Sequence, residues 1–442
     1  MYSKKVREAL EKQKIEVGDI ISIKTTGSEF EGTLMPNTEA NSEDAVIIKM
    51  KNGYNAAFRF SDIKLKKLGE KREIPKFPSV KYERKNRLPD IELIYTGGTI
   101  GSKIDYLTGG VYMLTKPEEL LYEVPEISEI ANIKVNNLFS IPSEDMSSSE
   151  WGAISKEVAE SLNKGSRGVV ITMGTDTMHY ASAAISFMLE NLNSPVVVTG
   201  AQRSSDRGSS DAFMNLYCAA AVAARSDIAE VTVCMHASSS DNACNVIRGT
   251  KARKMHSSRR DAFRPINDKP IAQVTKDGEI RYTAGYNRIG EKTEVKASTG
   301  FEQKTGIVVA HPNSDPSIID FFVEKGYKGI IIEGTGLGHT PVSISNKGFS
   351  WIENIREASE KGIIIGMTSQ CIYGRTNSSV YRNLRLLKRA GAIYCEDMTP
   401  ETAYVKLGWL LANRKKGEVA GLLQQNLRGE IKGRTEYGTF LV

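Results

Sequence analysis

Two patterns of apolar residues divide this chain. Residues 3–13 read as a short charged helix. The next fifty residues alternate apolar and polar positions in short runs, VGDIISIKTT, EFEGTLMP and DAVIIKMKNGYNAAFRF, broken by Gly, Pro, Asn and Ser. A period of two with β-branched residues predicts strands, and Asn52-Gly53 is a favoured hairpin pair. Residues 15–65 therefore form a small antiparallel barrel or curled sheet, and residues 1–75 an N-terminal β-barrel-like module. From Leu88 the pattern changes. Continuous apolar runs of strand length, IELIYTG, GVVITMG, VVVTGAQ and EVTVCMHA, are separated by helical stretches such as YASAAISFMLENL and DAFMNLYCAAAVAARS. That alternation predicts βαβ units and a parallel sheet.

The stretch around 245–300 is basic and less regular. Alternation then resumes with TGIVVAH, GIIIEGT, GIIIGMTSQ and GAIYCED as strands, and helices at 316–326, 346–360, 378–390 and 400–413. The fold class is α/β. After the N-terminal module, a larger domain spans 88–300 and a smaller one 301–442, each with a parallel sheet. Residues 64–87 hold ten Lys or Arg against three Glu, with two Pro. They read as a basic linker, bounded at 76–87 where the module ends at residue 75. Such a linker can meet phosphates, but a solvated tether fits the composition better.

Composition adds bounds. The chain has 442 residues, 40% hydrophobic and 25% charged, enough for several cores, with a formal charge of +6 that permits an acidic partner without requiring one. Cys218, Cys234, Cys244, Cys371 and Cys395 are an odd, widely spaced set with no C-x-x-C pair. This predicts reduced thiols rather than a disulfide framework or a structural zinc site. The N terminus lacks the apolar core of a signal peptide, and no run approaches the roughly 20 apolar residues of a membrane helix. A cytoplasmic location is expected.

In open α/β sheets, ligands sit beyond the carboxyl ends of the strands. Three such ends are chemically loaded: Thr96-Gly97-Gly98-Thr99-Ile100-Gly101, Met173-Gly174-Thr175-Asp176-Thr177, and Ala201-Gln202-Arg203-Ser204-Ser205-Asp206-Arg207-Gly208. Glycine lets backbone approach a ligand and aim N–H groups at a developing oxyanion. The first turn lacks both the G-K-[ST] ending of a nucleotide loop and the G-x-G-x-x-G spacing. A threonine hydroxyl needs a base before it can attack. His179, His236, His256, His311 and His339 stand in no serine-hydrolase context, and there is no G-x-S-x-G elbow. Lysine is the other candidate base, and Arg248-Gly249-Thr250-Lys251-Ala252-Arg253-Lys254-Met255-His256 supplies lysines among cations. By composition alone that segment reads as a surface basic patch. Cys371 reads as a small buried residue rather than a nucleophile, and no metal-ligand spacing is present.

TGGTIGS followed by DYLTGG, then ITMGTDTMHY, then VVVTGAQRSSDRGSSDAFMNL resemble the blocks of the bacterial-type L-asparaginases, a likeness spanning roughly residues 90–415. The leading β-module, together with IPSEDMSS, RGTKARKMHSSRRDAF, TSQCIYGRTN and EDMTPETAYVKL, is similar to the archaeal glutamyl-tRNA(Gln) amidotransferase D-subunit branch of that family. The resemblance implies threonine-dependent amide hydrolysis, with glutamine or asparagine as amide donor. Thr99 matches the primary nucleophile, and Thr175 with Asp176 the second group. Lys254 matches the lysine that completes this group, with Lys251 the competing choice. Tyr106 matches a tyrosine assisting the first threonine, in a segment from Gly101 to about Leu114 that would close as a lid. Ser143 would hold the substrate α-carboxylate, Asp176 would face its amino group, and Glu144 would border the pocket. Met173 and Glu144 depart from the histidine and glutamine that many asparaginases carry. For the branch, the resemblance further implies a partner, the amidotransferase's E subunit, that activates Glu-tRNA(Gln) with ATP and Mg²⁺. This chain itself would hold no cofactor, and it would form a homodimer core within a heterotetramer. The alternative is a free-standing cytoplasmic L-asparaginase.

Overall fold

The computed structural model describes residues 2–37, 42–52, 54–69, 84–104, 111–113, 124–205, 208–291, 293–342 and 347–441. Ser3 caps a helix, Lys4–Lys12, whose Val6 and Leu10 turn inward. They pack on a five-stranded antiparallel sheet with spatial order Asn55–Arg59, Ala45–Met50, Glu29–Leu34, Ile20–Lys24, Lys64–Gly69. Ile21, Ile23, Leu34, Val46 and Ile48 complete this small core. The expected hairpin around Asn52 joins the second and first strands of that order; Gly53 lies outside the described residues.

Most of the basic linker, 70–83, also lies outside them. Its end is docked: Arg84 pairs with Asp90 at 2.6 Å, and Lys85 with Glu129 at 2.7 Å. Beyond it runs an eight-stranded sheet, in the order Ile280–Tyr282, Ala272–Thr275, Ala243–Arg248, Val231–His236, Val196–Thr199, Gly168–Thr172, Asp90–Tyr95, Asn132–Asn137. The last five are parallel. The four inner ones have unbroken apolar sequences because helices cover both faces, whereas the edge strand Asn132–Asn137, NIKVNN, is half-exposed and shows no such run. The first three are antiparallel. This mixed edge is built largely from the stretch that reads as irregular in sequence, because its outer two strands have only four and three residues, too few to show a period. A helix at Ser148–Asn163 was also not expected. Its start is written in the sequence as a capping box, Ser147 with Glu150.

The smaller sheet is parallel, in the order Thr305–Val309, Gly329–Gly334, Ile364–Ser369, Ala392–Tyr394. Its helices run Ser317–Glu324, Ile352–Glu360, Arg382–Arg389 and Pro400–Asn413, with a further one at Lys416–Leu423. The third starts four residues later than its apolar pattern suggests. Asn377 accepts a hydrogen bond from the Ser379 N–H at 2.8 Å, a local turn that competes with helix. The two α/β regions share one core. Phe187 of the helix Met178–Met188 stacks on Trp409 of the helix Pro400–Asn413 at 5.8 Å. Ile331, Leu407 and Leu410 join Ile171, Val198 and Ile247 in the same apolar cluster.

Candidate active site

The strands Asp90–Tyr95 and Gly168–Thr172 are neighbours, with Tyr95 in register with Thr172. Their carboxyl ends therefore deliver both glycine turns to one place. Thr96 donates from its N–H and its hydroxyl to the Thr172 carbonyl, at 3.0 and 2.9 Å, and ties the turns together. Gly98, at φ +90°, lies directly on the second turn: a Cβ there would fall 2.4 Å from the Gly174 nitrogen. The two threonines are thus the residues that follow a pair of touching glycines. Thr99 opens the short 3-10 turn Thr99–Gly101 and is half-buried, while Thr175 is buried.

Lys254 ends the short strand Ala252–Lys254, paired with Phe263–Pro265. Strand alternation sends Arg253 and Lys254 opposite ways. The Lys254 ammonium donates to Thr175 Oγ1 at 2.8 Å and to Asp176 Oδ1 at 2.7 Å. The lysine side chain is 9% exposed and that of Asp176 69% exposed, so the ion pair opens on solvent from one side only. Ser143 is buried against Gly174, its Oγ 2.8 Å from where a Cβ would stand. Its carbonyl accepts from Thr177 Oγ1 at 2.7 Å. Thr175, Asp176 and Lys254 are therefore in contact at the strand ends, with Ser143 against Gly174 and Thr99 brought alongside by the touching Gly98 and Gly174. Glu144 is next to Ser143 but exposed, whereas Met173 is fully buried in the core and packs there rather than lining a pocket. Tyr106 and most of the expected lid lie outside the described residues; the hairpin Ser102–Ile104 with Val111–Met113 is described.

Lys251, the competing lysine, is elsewhere. It is fully buried and donates to Asp397 Oδ2 at 2.7 Å and to the Asp397 carbonyl at 3.2 Å. Burial pushes its pKa down, against the pull of Asp397. The reading of segment 248–254 as a surface patch is corrected accordingly. Arg248 is buried and bonded to Glu230 at 2.7 Å and Asp268 at 2.7 Å. Arg253 reaches across to Glu401 of the smaller region at 3.0 Å. Cations read as surface are internal because their carboxylates come from distant parts of the chain. Cys371 is corrected the other way: it is exposed, its N–H bonded to Ser369 Oγ at 3.0 Å, because the chain turns outward as the strand ends. The other four cysteines are buried and free.

No pattern in the sequence announces the support behind Lys254. His179 lies beside Glu401, at 3.9 Å, and burial drops its pKa to about 4. It is neutral at neutral pH and packs on Tyr180 at 4.8 Å, and among the described residues Thr175 Oγ1 is bonded to Lys254 and not to this histidine. Glu333, at the end of its strand, is pushed up first by burial and then by Glu401. Among the described residues no group of His, Cys, Asp and Glu could hold a metal ion, and no helix is long and apolar enough to cross a membrane.

A buried threonine hydroxyl bonded to a lysine, itself bonded to a carboxylate, can pass a proton; touching glycine turns can bind an oxyanion. With this fold, that site defines an amidohydrolase of the asparaginase class. Residues 90–286 match the family model "Asparaginase, N-terminal", 304–420 the "Glutaminase/Asparaginase C-terminal domain", and 15–68 the "GatD N-terminal domain". The thermostable L-asparaginase from Thermococcus kodakarensis superposes with a TM-score of 0.69 at 29% identity, covering 78% of this chain and 100% of that one. L-asparaginase I from Vibrio cholerae gives 0.68 at 31%, covering 78% and 99%. Full-length likeness goes further. The D subunit of glutamyl-tRNA(Gln) amidotransferase from Pyrococcus horikoshii is 48% identical over 99% of this chain and 100% of its own length. That of Methanothermobacter thermautotrophicus is 42% identical over 99% of both. The chain belongs to the D-subunit family of the glutamyl-tRNA(Gln) amidotransferases.

Proposed function

We infer that this chain is the amide-hydrolysing component of a tRNA-dependent amidotransferase, freeing ammonia from glutamine for the conversion of Glu-tRNA(Gln) to Gln-tRNA(Gln). The observation that carries the chemistry is Lys254 held between Thr175 Oγ1 and Asp176. Thr99 supplies the attacking oxygen. It bonds to the amide carbonyl carbon, and its proton passes to the departing nitrogen, which leaves as ammonia. The N–H groups of the glycine turns hold the oxyanion. Thr175, Lys254 and Asp176 then take a proton from water, which opens the ester and returns the Thr99 hydroxyl. Ser143, against Gly174, fits the substrate α-carboxylate end, and exposed Asp176 the amino group. Ammonia passes to a partner, the E subunit, which activates the glutamate with ATP and Mg²⁺; a homodimer of this chain forms the core of that assembly in the cytoplasm.

The leading module and the end-to-end likeness to D subunits weigh for this role over a free-standing L-asparaginase. The test is ammonia release from glutamine and asparagine, with and without the E subunit and Glu-tRNA(Gln). Coupled function predicts glutamine turnover that rises when both are present. Equal rates with and without them, or efficient asparagine turnover by the chain alone, would favour the free enzyme.

A further inference from the structure

From Lys361 to Cys395 the chain contains no Asp or Glu but six Lys or Arg. Four of the six stand on the helix Arg382–Arg389, RNLRLLKR, whose Leu384 and Leu387 are fully buried in the core of the smaller region. Arg382, Arg385, Lys388 and Arg389 all lie on the exposed face. Among the described residues no carboxylate pairs with any of them. Neighbouring cations behave otherwise: Arg356 is bonded to Glu353 at 2.6 Å and Arg375 to Glu396 at 2.9 Å. Cations three and four residues apart on a helix repel one another. Lys388 and Arg389, in the last turn, are favoured by the helix dipole, but Arg382 opens the first turn, where the dipole opposes a cation and no acidic residue offsets it. Arg385 donates to the Ser379 carbonyl at 2.9 Å, but among the described residues no internal partner accounts for Arg382, Lys388 and Arg389.

Its surroundings suit one kind of partner. Tyr381 and Val380, just ahead of the helix, are 55% and 54% exposed. The Tyr381 ring is steadied by His339 at 5.3 Å. Three of the four cations are guanidinium groups, whose planar fork matches phosphate oxygens. A basic track headed by an exposed aromatic ring is the arrangement that follows a nucleic-acid backbone and stacks a base. The helix follows the strand Ile364–Ser369, so its head lies at the carboxyl end of the smaller sheet. There Glu333 is within electrostatic reach of Arg253, the neighbour of Lys254.

We propose that the exposed face of the helix Arg382–Arg389, headed by Tyr381, is a docking surface for the phosphate backbone of RNA. It rests on the tRNA-dependent role inferred above and assigns part of the tRNA contact to this chain.

The experiment measures binding of fluorescently labelled tRNA(Gln) by the full-length chain, by anisotropy across a salt series. It compares wild type with Arg382→Gln/Arg389→Gln and with Tyr381→Ala. The double substitution should weaken binding at least about tenfold at low salt and flatten the plot of log affinity against log salt by roughly 0.7–0.9 per lost phosphate contact. Tyr381→Ala should weaken binding while leaving that slope unchanged. Glutamine hydrolysis and the melting temperature should stay at wild-type values in both variants. A wild-type chain that binds no tRNA, or a double variant that binds it with unchanged affinity and slope, overturns the proposal. So does a double variant that keeps tRNA but loses an acidic protein partner, which would make the stripe a protein contact. Amide hydrolysis is measured separately: a chain that binds tRNA through this face yet releases no ammonia retires the functional reading and leaves the docking surface standing.

Discussion

Replacing Lys251 with methionine separates the two lysines of the 248–254 segment. The Lys251 and Asp397 side chains are 0% and 2% exposed, and their ion pair measures 2.7 Å. Methionine preserves most of the volume but removes the charge. Asp397 would keep the Lys432 N–H on its other oxygen, at 3.0 Å, and lose its cation. Leaving one member of a buried pair unpartnered costs about 3–5 kcal/mol. At about 2–4 °C per kcal/mol for a domain of 150–250 residues, the midpoint should fall by roughly 6–20 °C. The assay pairs thermal melts by circular dichroism with glutamine hydrolysis at 25 °C, scaled to folded protein. Activity below the transition should stay within a few-fold of wild type, because Lys254 still reaches Thr175. Adding Asp397→Asn should restore most of the lost stability, since no charge then remains buried. A Lys251→Met chain as stable as wild type but catalytically dead would refute this and make Lys251 the base.

Other outcomes follow from the same geometry. Lys254→Met should lower kcat by about 10²–10⁴, the usual span for loss of a proton-transfer group, with the melt little changed. With the water-activating group gone, Lys254→Met and Thr175→Ala should accumulate an ester on Thr99 that intact-mass spectrometry detects, whereas Thr99→Ala should form none; an ester on Thr175 would reverse their roles. Gly174→Ala would put a Cβ 2.8 Å from Ser143, so KM for glutamine should rise with the fold retained, as read by initial rates and a melt. His179 takes its proton near 4 when folded and near the ordinary 6.5 when unfolded. The unfolded state therefore binds more protons between those values, and stability is full above about pH 6.5 and lost as pH falls toward 4. That amounts to about 3 kcal/mol at 1.36 kcal/mol per unit. Denaturant titrations at pH 7 and 4.5 should show His179→Gln losing less stability on acidification than wild type; equal losses would show that His179 does not contribute.

Much of this protein was legible as pattern. The unbroken apolar strands announced a parallel sheet covered on both faces, because a strand buried on both sides needs no polar alternation. The glycine-threonine turns announced a site, because ligands gather at strand ends and only glycine permits backbone to approach so closely. What sequence left open was decided by neighbours far along the chain. Lys251 and Lys254 are three residues apart and chemically equivalent in sequence. Asp397, 146 residues beyond the first, makes Lys251 a buried strut, and Thr175 with Asp176, more than 75 residues before the second, makes Lys254 part of the site. Arg248 and Arg253 likewise looked like surface cations until Glu230, Asp268 and Glu401 closed around them. The outer two antiparallel strands, Ala272–Thr275 and Ile280–Tyr282, carry too few residues for any period, so ladder pairing defines them. Local sequence fixes backbone conformation and which faces are apolar. The partner of a charge depends on where the rest of the chain comes to rest.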